Sequence, residues 1–283
     1  MTKITIGGVP EHFNLPIHLC IEDGLFKNVG LDVEWVEFPG GTGAMNLALR
    51  NGEIDIAIIL TEGIVKDIAA GNESKIIQNY VSTPLIWGVH VAANSPFNTL
   101  DDLKDTRPAI SRFGSGSHVM AYVQAKKLNW NTQAINCVVV NNLDNAIQTL
   151  SKGEADYFMW EHYTTKPLVD SNIFRRVSDF PTPWSSFVIA ATSKALAVKK
   201  DAISSFLEVL NTKTSSFKNI NEVDVLLAKR YNQKLEDIKT WLSKTEWSQD
   251  QLPHSEIEDV QYHLLELDMI DKKQDVSFYL TII

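Results

Sequence analysis

Short apolar runs alternate with segments of helical spacing along the first two thirds of the chain. The runs are rich in Val and Ile, which is typical of buried parallel strands. Several helical segments end at a glycine, a residue that adopts the left-handed conformation beyond a helix end without steric cost. The alternation predicts an α/β fold with helices on the faces of a parallel or mixed sheet. The predicted strands span residues 3–6, 32–38, 54–60, 75–80, 87–92, 109–111, 137–140, 157–160 and 187–191, and the helix-ending glycines are Gly24, Gly52, Gly71 and Gly153.

The C-terminal part of the chain has a different pattern. From Asp201 onwards strand-like runs nearly vanish, and apolar residues recur at helical spacing. Pro253 marks a break between two of these segments. We therefore expect a helical C-terminal addition, with helices over residues 201–212, 222–231, 234–242 and 255–267.

A short internal repeat relates two parts of the α/β region. The segment 49–55 reappears as 150–156, which places Gly52 and Gly153 at an offset of 101 residues. Each copy ends a helix, turns on Gly-Glu and enters an apolar strand. The repeat predicts two similar α/β lobes, and the same offset sets residues 160–162 against 59–61. In parallel sheets such positions lie at carboxyl ends of strands, where ligands bind.

Charge and composition exclude several classes of function. The 283 residues suit one large domain or two of ordinary size. Lys and Arg number 26 against 35 Asp and Glu, and the chain lacks the basic clusters that nucleic-acid binding needs. No apolar run approaches the ~20 residues that span a bilayer. The N-terminus carries no secretion signal, so we expect a soluble, cytoplasmic protein unless a leader was removed.

Two glycine-containing loops are candidates for ligand binding. Residues 40–45 follow a predicted strand and open a helix, whose free N–H groups and positive dipole end attract anions. Residues 111–118 form a second loop, in which Arg112 can form paired hydrogen bonds with a carboxylate, sulfonate or phosphate. Neither loop has the spacing of a P-loop or a dinucleotide fingerprint. The alternative interpretation is a tight turn for the first loop and a solvated cap with a surface arginine for the second.

Aromatic and acidic residues follow two further strands. Trp160 and Glu161 end the strand after the second repeat copy, where they can stack on a flat ligand and accept its hydrogen bonds. Alternatively Trp160 belongs to the core and Glu161 caps the next helix. Trp184 follows two prolines, so it is either fixed at the edge of a cleft or simply packed.

The residues that carry catalysis or bind metals do not form a recognisable pattern. The seven histidines lack metal-binding spacing, and no Gly-x-Ser-x-Gly segment is present. Cys20 and Cys137 are too few for a disulfide framework, and Cys20 lies on an apolar helical face. The sequence predicts no metal site, no cofactor and no catalytic group.

Residues 22–33 contain the pattern D-G-x-F-x-x-x-G-L-x-V, which resembles the opening of type II periplasmic-binding-protein folds. Within these folds the chain is similar to the binders of sulfonate, nitrate and thiamine-pyrimidine precursors, and segments 41–43 and 52–57 continue the similarity. Residues 111–118, 160–161 and 183–184 resemble a narrower subfamily of soluble substrate-binding proteins from fungi and bacteria. The resemblance covers residues 3–192.

The resemblance implies a two-lobed α/β fold of the type II periplasmic-binding-protein class, with a ligand in the cleft. Residues 1–89 and 187–283 would form one lobe and residues 90–186 the other, with chain crossings near 90–93 and 185–188. Two features depart from the family pattern. Bacterial relatives are usually exported, whereas this chain has no export signal, and the cysteine-rich motif of the fungal pyrimidine synthases is absent.

The function we expect is binding of a small molecule, with closure of the lobes and no chemistry. One candidate ligand is a planar heterocycle of the thiamine-pyrimidine kind, bound by aromatic faces and by Glu62 or Glu161. The other is a small anion such as a sulfonate, although the carboxylates of these two residues would repel it. The alternatives are an enzyme of pyrimidine or thiamine precursor metabolism, with His12 or His118 as proton carrier, and a scaffold without ligand. No transporter partner can be named. The expected ligand-binding residues are His12, Phe13, Thr42, Gly43, Thr61, Glu62, Arg112, Gly114, Ser115, Ser117, Trp160, Glu161 and Trp184.

Overall fold

The computed structural model describes residues 1–283 and contains eight strands and twelve α-helices. The chain divides into two compact units: unit 1 contains Met1–Thr83 and Trp184–Ile283, and unit 2 contains Pro84–Pro183. The sequence placed these boundaries after residues 89 and 186, inside the same two strands through which the chain passes between units. No helix combines the length and the apolar character that a membrane crossing requires.

Unit 1 is built on a mixed sheet. Its strand order is β2-β1-β3-β8, in which β1 is parallel to β2 and β3, and β8 is antiparallel to β3. The strands are β1 (Thr2–Gly8), β2 (Leu31–Glu37), β3 (Ile56–Leu60) and the second part of β8 (Phe174–Thr192). The helices before the crossing are α1 (Leu15–Glu22), α2 (Leu25–Asn28), α3 (Thr42–Asn51) and α4 (Thr61–Ala69).

Unit 2 repeats this arrangement on a smaller scale. Its strand order is β6-β5-β7-β4, in which β5 is parallel to β6 and β7, and β4 is antiparallel to β7. The strands are the second part of β4 (Ser74–Ala92), β5 (Pro108–Ile110), β6 (Val138–Val139) and β7 (Tyr157–Glu161). The helices are α5 (Gly116–Lys127), α6 (Leu143–Ser151) and α7 (Lys166–Asp170).

The hydrogen bonds at the two repeat copies confirm the internal repeat. Gly52 follows α3 and Gly153 follows α6, with φ values of 66° and 68° in the left-handed region. Three residues after each glycine, an aspartate accepts a backbone N–H from the neighbouring strand region. The Asp55 carboxylate accepts from Thr5 at 3.0 Å, and the Asp156 carboxylate accepts from Arg107 at 2.7 Å. The repeated heptad therefore encodes the same helix end and strand entry in both units.

Strands β4 and β8 are longer than the sequence pattern predicts. Segments 75–80 and 87–92 belong to one strand, and β8 begins at Phe174 rather than at residue 187. Both strands contain prolines, although proline lacks the N–H that an interior strand position requires. Side-chain hydroxyls supply hydrogen bonds here, because Thr182 Oγ1 accepts the Leu85 N–H at 3.0 Å and Ser186 Oγ donates to the Thr83 carbonyl.

The C-terminal helices complete the core of unit 1. Helices at the four predicted places are confirmed, and α9 packs against α1, α2 and β1. Phe206 of α9 stacks on Phe26 with ring centroids 5.1 Å apart. The tail is therefore an integral part of the unit and not only an addition to it. Its helices are α8 (Ser193–Val198), α9 (Lys200–Ser216), α10 (Val223–Arg230), α11 (Leu235–Lys244) and α12 (His254–Glu266).

Candidate functional site

Three segments of unit 1 follow the carboxyl ends of the parallel strands β1, β2 and β3. The loop after β1 carries His12 and Phe13, and the loop after β2 leads to Thr42 and Gly43. Strand β3 ends at Leu60, directly before Thr61 and Glu62 of α4. Because neighbouring parallel strands end at one edge of a sheet, the fold brings these predicted residues to the same edge of unit 1.

The first turns of α3 and α4 touch at this edge. A Cβ atom at Gly63 would lie 2.2 Å from Thr42 Cγ2, so only glycine allows the two turns to approach this closely. Asn46 of α3 also donates to the Gly63 carbonyl at 3.1 Å. The contact holds two helix N-termini together, and the N–H groups of a first helical turn have no partner within the helix. The predicted role of the glycine-rich loop as a helix start is confirmed.

Glu62 is a buried acid with one unsatisfied oxygen. Its side chain is fully buried, and the Trp184 indole N–H donates to Oε2 at 2.8 Å. Oε1 is buried and has no hydrogen-bond partner. Burial raises the pKa of Glu62 to about 7, which the bond from Trp184 partly offsets. A carboxyl with such a pKa can accept or donate a hydrogen bond near neutral pH.

Helix α12 fixes the strand that carries Trp184, which sequence reasoning did not find. The Glu256 carboxylate accepts the Ser185 backbone N–H at 3.0 Å and the Ser185 hydroxyl at 3.0 Å. His263 of the same helix lies 5.6 Å from the Trp184 ring. The Thr61 hydroxyl donates to the Ser185 carbonyl at 2.6 Å. No local motif marks Glu256 or His263, because their role depends on a partner 71 or more residues away.

Phe13 and His12 are packed inside unit 1. The Phe13 ring contacts His12 at 4.9 Å, Phe187 at 5.0 Å and Trp241 at 5.1 Å between centroids. Its carbonyl accepts hydrogen bonds from Tyr80 and Trp247. Burial lowers the pKa of His12 to about 3, so this imidazole is neutral near pH 7.

In unit 2, the predicted residues Arg112 and Trp160 lie at neighbouring strand ends. Arg112 follows the end of β5 by two residues, and Trp160 is the second-last residue of β7. The two strands are parallel neighbours, and Ala109 of β5 pairs with Phe158 of β7. The two side chains therefore belong to the same edge of the unit 2 sheet. Arg112 is partly buried, and burial lowers the pKa of its guanidinium.

The loop around Arg112 is organised by hydroxyl groups at the start of α5. Ser115 is the N-cap and accepts the His118 N–H, and its Oγ lies 3.0 Å from Ser117 Oγ. Ser117 Oγ in turn accepts the Ser111 N–H at 3.0 Å. The Gly114 N–H donates to His118 Nδ1 at 3.0 Å. The loop is thus a preformed helix N-terminus rather than an irregular surface turn.

Trp160 and Glu161 have structural contacts of their own. The Trp160 ring stacks on Phe158 with centroids 5.4 Å apart and packs against the core of unit 2. Glu161 is buried and its Oε2 accepts the Thr164 N–H at 2.6 Å. Burial raises the pKa of Glu161, and this bond partly offsets the shift. Core packing, the alternative considered for Trp160, is observed. Glu161 does not cap the next helix, because its bond to Thr164 lies in the turn before α7, whose N-cap is Thr165.

Both edges are suited to binding through hydrogen bonds and charge. Burial raises the pKa of the Cys20 thiol to about 12 and of the Cys137 thiol to about 11, so neither is an activated nucleophile. No group of three His, Cys, Asp or Glu side chains is placed to hold a metal ion. The two edges carry helix N-termini, one guanidinium, hydroxyl groups and two buried acids.

Comparison with known proteins identifies the class of fold. A sequence-family model described as Ca3427-like PBP matches residues 87–180. The Candida albicans CA3427 gene product, which defines a family with the generic periplasmic binding protein fold, is 28% identical to this chain. The TM-score is 0.92, and the match covers 99% of this chain and 96% of that one. No curated protein matches the chain in sequence.

Two further binding proteins of known structure have the same fold. The alkanesulfonate-binding protein SsuA from Xanthomonas axonopodis pv. citri, solved with bound MOPS, is 17% identical with a TM-score of 0.83 and covers 100% of this chain and 99% of its own. The nitrate-binding protein NrtA from Synechocystis PCC 6803 is 14% identical with a TM-score of 0.74, covering 98% and 84%. The chain therefore has a periplasmic-binding-protein-like fold of type II, as the sequence predicted, with sulfonate and nitrate binders among its structural relatives.

Proposed function

We propose that this protein binds a small molecule carrying an oxyanion, such as a sulfonate, and does not transform it. The observation that carries the proposal is the loop of unit 2, where Arg112 stands beside the N-terminus of the 12-residue helix α5. A planar guanidinium and the free N–H groups of a helix start both favour an oxyanion. The similarity to a sulfonate binder with bound MOPS supports the same class of ligand.

The two carboxyl groups do not exclude an anion. Burial raises the pKa of Glu62 to about 7, so a large fraction of this group is protonated near neutral pH and carries no charge. Burial also raises the pKa of Glu161, whose Oε2 already accepts a hydrogen bond from Thr164. The electrostatic repulsion expected from the sequence is reduced accordingly.

Each unit by itself offers a helix start that suits an anion. Helix α3 of unit 1 offers Thr42 and Gly43 at its first turn, and α5 of unit 2 offers the Arg112 loop. We propose that ligand binding closes the units by small changes in the crossing strands β4 and β8. Small-angle scattering with and without saturating ligand tests closure, and unchanged dimensions would reject it.

Calorimetry with ethanesulfonate and MOPS tests the ligand class. We expect Arg112→Ala to weaken binding by about tenfold or more, because a charge-assisted pair contributes roughly 1.5–3 kcal/mol. Arg112→Lys keeps the positive charge but cannot form two parallel hydrogen bonds to the oxyanion. Its affinity should therefore lie between those of the wild type and Arg112→Ala. Arg50→Ala is the matched control, since Arg50 is exposed and pairs with Asp67 in unit 1. Equal affinity of the wild type and Arg112→Ala for both sulfonates would reject the proposal.

A thiamine-pyrimidine-like ligand is the second candidate, and the unpartnered Glu62 Oε1 favours it. An aminopyrimidine can donate to this oxygen, as the sequence suggested. The aromatic faces support it less, because the Phe13 ring contacts three protein rings and Trp160 stacks on Phe158. Incubation with a hydroxymethyl aminopyrimidine, followed by mass spectrometry, separates binding from turnover. Recovery of an altered compound would favour the enzyme alternative.

A further inference from the structure

Three buried polar atoms in one aromatic cluster of unit 1 have no hydrogen-bond partner. They are His12 Nε2, the Tyr231 hydroxyl and the Trp241 indole Nε1. The His12 ring lies 4.1 Å from the Trp241 ring and 6.0 Å from the Tyr231 ring, between centroids. Since buried polar atoms in native proteins are nearly always paired, three on rings grouped around one imidazole require an explanation.

The C-terminal helices bring this cluster to the carboxyl end of β1. Trp241 belongs to α11, and Tyr231 directly follows α10. Trp241 is 2% exposed and His12 is 1% exposed, so their polar atoms cannot obtain partners from bulk solvent. The neighbouring Trp247 has a different role, because its indole N–H donates to the Phe13 carbonyl at 3.1 Å. Only one of these two tryptophans therefore carries an unused donor.

The chemistry of the three groups defines what they can bind. The indole is a donor only, the phenol donates and accepts, and a neutral imidazole offers one donor or acceptor at Nε2. The groups are neutral around pH 7, because burial lowers the pKa of His12 to about 3 and raises that of Tyr231 to about 12. A charged group of a ligand would be disfavoured here, because it would lose its hydration and none of these three side chains offers an opposite charge. An alcohol can accept from Trp241 and donate to His12 or Tyr231.

We propose that His12, Tyr231 and Trp241 form a subsite for an uncharged hydroxyl-bearing group of the ligand. The inference rests on the proposed function, because the hydroxyl group belongs to the small molecule that the protein is proposed to bind. The C-terminal helices thereby take part in specificity, and the ligand is a hydroxylated sulfonate or a related hydroxylated anion. The subsite lies entirely within unit 1.

Three sulfonates that differ at one end test the specificity. Isethionate carries a hydroxyl, ethanesulfonate a methyl and taurine an ammonium group. We expect isethionate to bind about tenfold more tightly than either of the others, and Tyr231→Phe or Trp241→Phe to remove most of this preference. Affinity for ethanesulfonate should change less than twofold in both variants. Equal affinity for isethionate and ethanesulfonate in the wild type would overturn the subsite.

Thermal unfolding without ligand provides a test that does not need a sulfonate. Tyr231→Phe removes a hydroxyl without a partner, so the melting temperature should stay unchanged or rise. Trp241→Phe also leaves a cavity in the core, so it should lower the melting temperature, but by less than Trp247→Phe, which leaves a similar cavity and also breaks a hydrogen bond. Trp247→Phe is the control, since it removes a formed hydrogen bond and should lower the melting temperature. A decrease in the first two variants as large as in the control would show that both atoms are already paired, by water for example, and would overturn the subsite. If no sulfonate binds the wild type, while Tyr231→Phe is not destabilised and Trp241→Phe is destabilised less than Trp247→Phe, the proposed function fails and the unpaired cluster stands.

Discussion

The Trp184 indole donates a hydrogen bond to Glu62 Oε2 at 2.8 Å, and both side chains are buried in unit 1. Trp184 is the first residue of unit 1 after the chain leaves unit 2 along β8. Glu62 lies in the first turn of α4, beside the helix starts of the candidate site. The bond therefore connects the crossing strand to the site, and a change in the protonation of Glu62 acts on both.

Glu62→Gln should change how stability depends on pH. Burial raises the folded pKa of Glu62 to about 7 from an ordinary value of 4.5, so the folded state binds the proton more tightly. Its contribution to stability is present below the unfolded pKa and is lost as pH rises through the folded pKa. The loss is on the order of 3 kcal/mol. The free energy of unfolding of the variant, relative to wild type, should therefore rise between about pH 5 and pH 8.

Denaturant unfolding at several pH values measures this difference. The comparison with wild type is necessary because burial lowers the pKa of His12 to about 3 and of His90 to about 3, and these groups favour stability at higher pH. Glu53→Gln, at an exposed position of the same unit, is the control. A pH-independent difference between wild type and Glu62→Gln would show that Glu62 titrates normally.

Gly63→Ala should displace the start of α3. The added Cβ would lie 2.2 Å from Thr42 Cγ2, and overpacking of this kind costs about 1–3 kcal/mol. Thr42→Ser removes that methyl group and keeps the hydroxyl. The double variant should regain most of the lost stability and the lost affinity for ethanesulfonate. Additive losses in the double variant would contradict the proposed contact, and thermal unfolding together with calorimetry measures both quantities.

The repeat predicts that Asp156 stabilises unit 2. Burial acts to raise the pKa of Asp156, but hydrogen bonds from Arg107 outweigh it and the net shift is downward. Asp156→Ala leaves the Arg107 backbone N–H without its partner, which should cost about 1–3 kcal/mol. Asp55→Ala should have a similar effect in unit 1, where Thr5 loses its partner. Glu154→Gln, exposed in the same turn, should change the free energy of unfolding by less than about 0.5 kcal/mol.

The elements that sequence predicted best are those with local signals. Glycine marked the helix ends at Gly52 and Gly153, and apolar periodicity marked the four long helices of the tail. The N-terminal half of β8 was missed because its prolines indicate a loop, whereas Thr182 and Ser186 supply hydrogen bonds through side chains. Local patterns cannot show that compensation, because the partners lie about a hundred residues away in the chain.

The candidate site residues that the sequence predicted are likewise those marked by a local signal. Thr42, Glu62 and Arg112 were found because each follows a recognisable strand, and the parallel sheets then bring such positions to one edge of each unit. Trp241 and Glu256 were missed because they lie on amphipathic helices whose partners are set by tertiary packing. A tryptophan on such a helix is indistinguishable from ordinary core until its indole N–H is found without a partner.

Glu256 provides the last prediction, because it connects the tail to the crossing strand. Its carboxylate accepts the Ser185 N–H and the Ser185 hydroxyl, each at 3.0 Å, one residue after Trp184. Glu256→Ala leaves the Ser185 N–H unpaired, so we expect a loss of about 1–3 kcal/mol in the free energy of unfolding. Because Trp184 holds Glu62 at the site, we also expect weaker binding of ethanesulfonate in calorimetry. Glu258→Ala, exposed on the same helix, is the control. An unchanged free energy of unfolding with reduced affinity would assign Glu256 to ligand binding alone. If Glu256→Ala changes neither quantity, its role in fixing the strand is contradicted.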